Sequence, residues 1–248
     1  MNILRLLGEL KSLKEIPFYQ LEYWLSLHWK SSRDRLKGSG QTILVYPGFL
    51  SNNTYTYLLR FFLRNLGYQI HGWPYGFNLG YTPKKFKRCK EDMFKKSEQA
   101  EGKIIGIGYS LGGILIRELA REEPERFKLV ITLGTPFANI KGTNIEWLYR
   151  LICRYNFNKI SPEILARLPQ PLPVPSISLY SRDDCVVNEK ACYQSGESKC
   201  GYQNIEVGGT HLGLPFNLKA YQVITAALSK PQPHTLESYY RPQTATGG

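Results

Sequence analysis

The chain has 248 residues, 42% of them hydrophobic and 21% charged, which suits one large domain or two small ones and is ample for a buried core. Thirty-two basic residues against 20 acidic ones leave a formal net charge of +12, which favours anionic surfaces or acidic substrates but says nothing about fold. No run of about 18 apolar residues is present to cross a membrane as a helix. Five cysteines without a C-x-x-C pair argue against a disulfide framework, and four scattered histidines offer no metal-ligand spacing.

Charges interrupt the apolar stretch of "MNILRLLGELKSLKEIPFYQ", so it lacks the continuous core of a signal peptide. The expectation is a cytoplasmic protein needing no metal or cofactor. Residues 1–40 place Ile3, Leu6, Leu7, Leu10 and Leu13, then Leu21, Trp24, Leu25 and Trp29, at helical spacing. Such segments pack on a domain or lie peripherally on an anionic membrane surface, where Leu and Trp beside Lys and Arg suit the headgroup boundary. Nucleic acid is not an expected partner, because only the net charge points to it.

From residue 41 to 230 strands and helices alternate. "TILVY" (42–46) reads as a buried strand, "TYLLRFFLRNLG" as a helix ending at Gly67, and "YQIHGW" (68–73) as a second strand. A Gly- and Pro-rich loop, "PYGFNLGYTP", leads to a basic helix at 84–100 with Phe86, Cys89, Met93 and Phe94 towards its inner face. "KIIGIGY" (103–109) is a third strand, followed at once by an amphipathic helix, "SLGGILIRELAREEP". The strand "FKLVITLGTPF" precedes an insertion at 138–175, largely helical and then rich in proline. "SISLYS", a short helix at 188–195, "YQNIEV" and the helix "NLKAYQVITAALSK" complete the pattern, and 231–248 reads as a flexible tail. This alternation predicts an α/β domain with a mostly parallel central sheet and helices on both faces.

Within that frame Gly108-Tyr109-Ser110-Leu111-Gly112 fits G-x-S-x-G. Placed between a buried strand and a helix, the pattern describes a sharp turn that lifts a serine hydroxyl above the sheet edge. Leu111 is not the glycine a dinucleotide fingerprint needs, and no Gly-Lys-Ser/Thr follows for a phosphate loop. A serine nucleophile needs a base, and His211 follows the last strand in the loop "GGTHLGL". The base needs a carboxylate, which "SLYSRDDCVV" supplies at Asp183 or Asp184. Asp184 is favoured as the acid, and Asp183 as a solvent-facing or capping neighbour. Backbone N–H groups of Leu111 and of Phe49, in "YPGFLSN", are the candidate oxyanion donors.

Together these segments resemble the α/β-hydrolase superfamily, and within it bacterial lipase- and esterase-like members. The resemblance runs over about residues 42–229, through "YPGFLSN", "GYSLGG", "GTPF", "YSRDDCVV" and "GTHLGL" in the family's order. It implies Ser110 as nucleophile, Asp184 as acid, His211 as base, and Phe49 and Leu111 as oxyanion donors. Cys185 stands where that family usually has glycine, and Pro47 where many lipases have histidine. The insertion sits where this fold carries a helical lid, and Trp147, Leu151 and Tyr155 fall on one helical face suited to walling an acyl pocket. The implied activity is hydrolysis of carboxylic esters, small or lipid, through an acyl-enzyme. Acyl transfer by the same residues and a non-catalytic binding role are the alternatives. Oligomeric state is not encoded legibly.

Overall fold

The computed structural model describes residues 40–100, 102–139 and 162–229. The expected N-terminal helices, most of the insertion with Trp147, Leu151 and Tyr155, and the tail lie outside these residues.

Six strands form one parallel sheet: β1 Thr42–Tyr46, β2 Gln69–His71, β3 Ile104–Tyr109, β4 Phe127–Leu133, β5 Ser176–Tyr180 and β6 Tyr202–Glu206. Their order is β2-β1-β3-β4-β5-β6, and every neighbouring pair is parallel. The inner strands β1, β3, β4 and β5 are buried at nearly every position because both faces are covered. In β1, Ile43 and Val45 enter one core while Leu44 and Tyr46 enter the other, as the two-residue pleat requires. The first core is closed by α1 (Tyr57–Asn65), through Leu59 and Leu63, and by α5 (Leu218–Ser229), through Tyr221, Ile224 and Leu228. The second is closed by α2 (Pro83–Glu98) and α3 (Leu111–Glu122). The chain therefore leaves β1 towards one face and β3 towards the other. Between their carboxyl ends lies the crevice that such a switch in strand order creates.

Local sequence sets the boundaries. Gly67, past the end of α1, has φ +90°, the left-handed conformation that closes a helix at small cost with glycine. Thr82 caps α2 by accepting the Lys85 N–H at 2.8 Å, with Pro83 at the first helical position. On α2 Cys89 and Met93 are fully buried, whereas Phe94 stays at the margin beneath the Arg126 guanidinium, 4.1 Å from its ring centre. β2 is shorter than the 68–73 expected. Asn53 Oδ1 accepts the Trp73 N–H at 2.8 Å, and its amide donates to the Trp73 carbonyl at 2.5 Å. Those groups are thereby removed from the ladder.

α3 departs from the amphipathic reading. All its residues from Leu111 to Ala120 are buried, including Arg117 and Glu118. These charges are partnered by the chain returning from the insertion, by Gln194 and by Arg121. Arg117 donates to Gln194 Oε1 at 2.7 Å and to the Leu168 and Gln170 carbonyls, and lies over the Phe137 ring at 3.7 Å. Glu118 pairs with Arg121 at 3.3 Å and with Arg167 at 2.6 Å. Arg167 ends α4 (Pro162–Arg167), and Leu172 and Val174 beyond it join the second core. Among the described residues, the end of the insertion is thus bolted to α3 by buried charge. Glu118→Gln is expected to lower unfolding stability by about 3 kcal/mol, the usual cost of stranding a buried ion-pair partner, measured by urea denaturation.

Candidate active site

The carboxyl ends of β3, β5 and β6 carry the three polar residues singled out in the sequence. Ser110 follows β3 directly. Its φ of 51° and ψ of −121° are unusual for a residue with a side chain, and its N–H extends the sheet by donating to the Leu133 carbonyl at 2.8 Å. The motif's glycines allow the turn. A Cβ on Gly112 would fall within 2.5 Å of the Pro47 carbonyl oxygen, and one on Gly108 within 2.5 Å of the Gly113 nitrogen. Neither obstacle is a flexible side chain that could move aside.

His211, in the loop after β6, is 4% exposed and Ser110 is 7% exposed. Its Nε2 lies 3.1 Å from Ser110 Oγ, and its Nδ1 lies 2.6 Å from Asp184 Oδ2. The other carboxylate oxygen, Asp184 Oδ1, accepts the N–H groups of Val186 at 2.9 Å and Val187 at 2.7 Å. A carboxylate accepting on both oxygens calls for a proton on His211 Nδ1. Nε2 is then left with its lone pair facing the serine hydroxyl. The arrangement can take the proton from Ser110 as its oxygen forms a bond, and can hold the resulting imidazolium against Asp184.

Asp183 instead faces solvent, its N–H held by Ser181 Oγ at 3.0 Å. Beneath the acid loop Cys192 packs with Val186 and Val187. Burial, and then the nearby Asp184 charge, push its thiol well above the ordinary range, so it serves as a neutral apolar contact. His71 ends β2 at the sheet edge, while His28 and His234 lie outside the described residues.

Leu111 opens α3, so its N–H has no intrahelical acceptor. The Phe49 side chain joins a small apolar cluster with Leu111, Ile114, Leu168 and Ile164 of α4. Gly48, just before Phe49, passes so close to the serine that a Cβ there would be 3.1 Å from Ser110 Cβ.

Several residues shape the site without having been legible in the sequence. The Tyr109 hydroxyl donates to the His211 carbonyl at 3.1 Å, and the Tyr55 hydroxyl to the next carbonyl, Leu212, at 2.6 Å. The two rings stack with centroids 5.7 Å apart. Consecutive carbonyls of the histidine loop are therefore held by a stacked tyrosine pair. Gly134, after β4, combines a φ of +54° with a ring of His211 so close that a Cβ would sit 3.1 Å from Nδ1. "GTPF" could have hinted at that glycine. Nothing local marks the tyrosines, whose partners lie 102 and 157 residues away. Ile164 and Leu168 likewise place apolar surface near Leu111 from outside the helical face expected to wall a pocket.

The parallel sheet, its strand order and its two helical layers are those of the α/β-hydrolase fold. It is similar to α/β-hydrolase domain-containing protein 10 from mouse at 20% identity over 78% of this chain and 90% of that one, with a TM-score of 0.52. A monoacylglycerol lipase from Paleococcus ferrophilus is 14% identical over 76% of this chain and 93% of its own, with a TM-score of 0.57. Lipase B of Aspergillus fumigatus is 17% identical over 80% of this chain and 55% of its own, with a TM-score of 0.62. No protein-family model and no curated protein matches the sequence.

Two substitutions test this architecture. Gly112→Ala, which forces a Cβ against fixed backbone, is expected to cost about 1–3 kcal/mol of stability as overpacking does. Tyr109→Phe removes one hydroxyl and is expected to cost about 1 kcal/mol. Chemical denaturation of purified variants measures both.

Proposed function

We propose that the protein is a serine hydrolase of carboxylic esters, with Ser110 as nucleophile, His211 as general base and acid, and Asp184 as the carboxylate that orients His211. The observation that carries this reading is the position of one buried imidazole, 3.1 Å from a serine oxygen on one side and 2.6 Å from a carboxylate oxygen on the other. Structural ion pairs need no serine in that place, and a strained serine at a strand-to-helix turn has no stabilising use.

In this mechanism Ser110 Oγ bonds to the ester carbonyl carbon while its proton passes to His211 Nε2. The carbonyl electron pair collects on oxygen, which accepts hydrogen bonds from the N–H groups of Phe49 and Leu111. His211 then protonates the departing alcohol as the carbon–oxygen bond breaks, leaving an acyl-enzyme. A water then attacks the acyl carbon as His211 takes its proton, and His211 returns that proton to Ser110 Oγ as the acyl carbon–Oγ bond breaks and the acid leaves.

The acyl side is best served by an apolar group. Phe49, Leu111, Ile114, Ile164 and Leu168 form an apolar cluster that includes the residue after the nucleophile. Two of the structurally similar proteins are named as a monoacylglycerol lipase and a lipase, and a lipid ester suits the apolar wall of this chain.

The test is a series of 4-nitrophenyl esters of increasing acyl length, with fluorophosphonate labelling of the folded protein. Wild type is expected to turn over the esters and to be labelled at Ser110. Ser110→Ala loses both, with turnover falling about 10⁴-fold or more, and Asp184→Asn falls about 10⁴-fold through the wrong histidine tautomer. Hydrolysis that survives Ser110→Ala refutes the mechanism.

A further inference from the structure

The loop after β1 contains the second oxyanion donor of the proposed mechanism, and its conformation is not self-supporting. Ser51 N–H and Oγ both reach the Gly48 carbonyl, at 3.3 and 2.9 Å, closing a turn over Gly48–Ser51. Its third residue, Leu50, has φ +56°, where such a turn normally places glycine or asparagine. Leu50 and Ser110 are the two non-glycine residues with positive φ among the described residues. Leu50 is also 42% exposed, so packing of its side chain does not hold it there.

What holds it is Asn78, in the Gly- and Pro-rich loop before α2, which is fully buried. Its side-chain amide donates to the Pro47 carbonyl at 2.9 Å. Its backbone carbonyl accepts the Leu50 N–H at 2.9 Å, and its own N–H donates to the Ser51 carbonyl at 2.8 Å. Three ties from one residue thus fall on positions 47, 50 and 51. The peptide between Gly48 and Phe49 lies inside that bracket. Its carbonyl is already engaged by Ser51, and because a trans peptide is planar the Phe49 N–H must point the opposite way. Rotation of either flanking peptide would swing that N–H off its target, and Gly48 would lose its close approach to Ser110.

We infer that Asn78 is a positioning residue for catalysis: it holds the 47–51 loop so that the Phe49 N–H meets the oxyanion. This rests on the hydrolase reading above, and in particular on Phe49 as a donor. Strained backbone persists only where its surroundings over-determine it, and the Asn78 side chain supplies the one tie in this set that a substitution can remove. Asparagine is chosen by the geometry. Aspartate of the same shape cannot donate to the Pro47 carbonyl when ionised, and serine is too short to span the same gap.

Asn78→Asp and Asn78→Ser test this in the full chain. Four quantities are measured on each: active sites counted by fluorophosphonate, kcat per counted site and KM on a 4-nitrophenyl ester, and the inhibition constant of an alkyl trifluoromethyl ketone. Ser110 adds to that ketone's carbonyl to form a tetrahedral oxyanion without turnover, so its affinity reads the oxyanion site. The inference predicts that kcat per site falls about 10- to 100-fold, short of the loss on deleting a donor outright, with KM changed less than about threefold. Ketone affinity falls in parallel with kcat/KM. A merely structural role lowers the number of active sites but leaves kcat per site and ketone affinity as in wild type, and that result in a folded variant overturns the inference. A wild type with no Ser110-dependent turnover or ketone binding overturns the hydrolase reading itself, and the role of Asn78 with it.

Discussion

Ser110 is held in a backbone conformation that costs roughly 1–3 kcal/mol, and much of the site follows from how that cost is met. The strain is confined by a hydrogen bond from its N–H to β4, by glycines that let α3 press against the ends of β1 and β3, and by a helix buried on all sides for its first ten residues. A helix free to shift would relax the turn and sink the hydroxyl. Burial of α3 in turn brings Arg117 and Glu118 into the interior, where the returning chain at 167–170, Gln194 and Arg121 partner them. The turn, the helix and the exit of the insertion are one mechanical unit.

A second unit positions the groups that face the serine. β5 and β6 are neighbours, so the loops after them deliver Asp184 and His211 side by side. The switch in strand order sets the loop after β1 against the turn after β3. Each delivered group is then tied by hydrogen bonds: the histidine loop by Tyr109 and Tyr55, Asp184 by the Val186 and Val187 amides of its own loop, the β1 loop by Asn78. The division of labour is plain. Strand order brings the groups together to within a few ångströms, and side-chain-to-backbone hydrogen bonds set their final orientation.

That division also explains what could be read from the sequence. β1 and β3 were legible because strands buried on both faces of a parallel sheet are largely apolar runs, and the Ser110 turn because its glycines are required within five residues. His211 and Asp184 followed from the order of loops along the chain. The ties were not legible. Asn78 sits in a loop whose Gly and Pro content reads as ordinary turn, and its meaning depends on a carbonyl 31 residues away. Arg117 and Glu118 lie in a segment whose spacing reads as an amphipathic helix, and no local signal announces a partner some 50 residues on. β2 was overestimated because Asn53, distant in sequence, draws Trp73 out of the ladder.

The central claim is that a covalent bond forms at Ser110 during turnover. Wild-type protein mixed with an activated acyl ester, quenched with acid within the first turnovers and digested, reports this by mass spectrometry. The account predicts the acyl mass on the peptide containing Ser110, appearing before steady state and decaying as substrate is exhausted. Ester hydrolysed at full rate with no acyl group on that peptide, or with the acyl group on another residue, would contradict it.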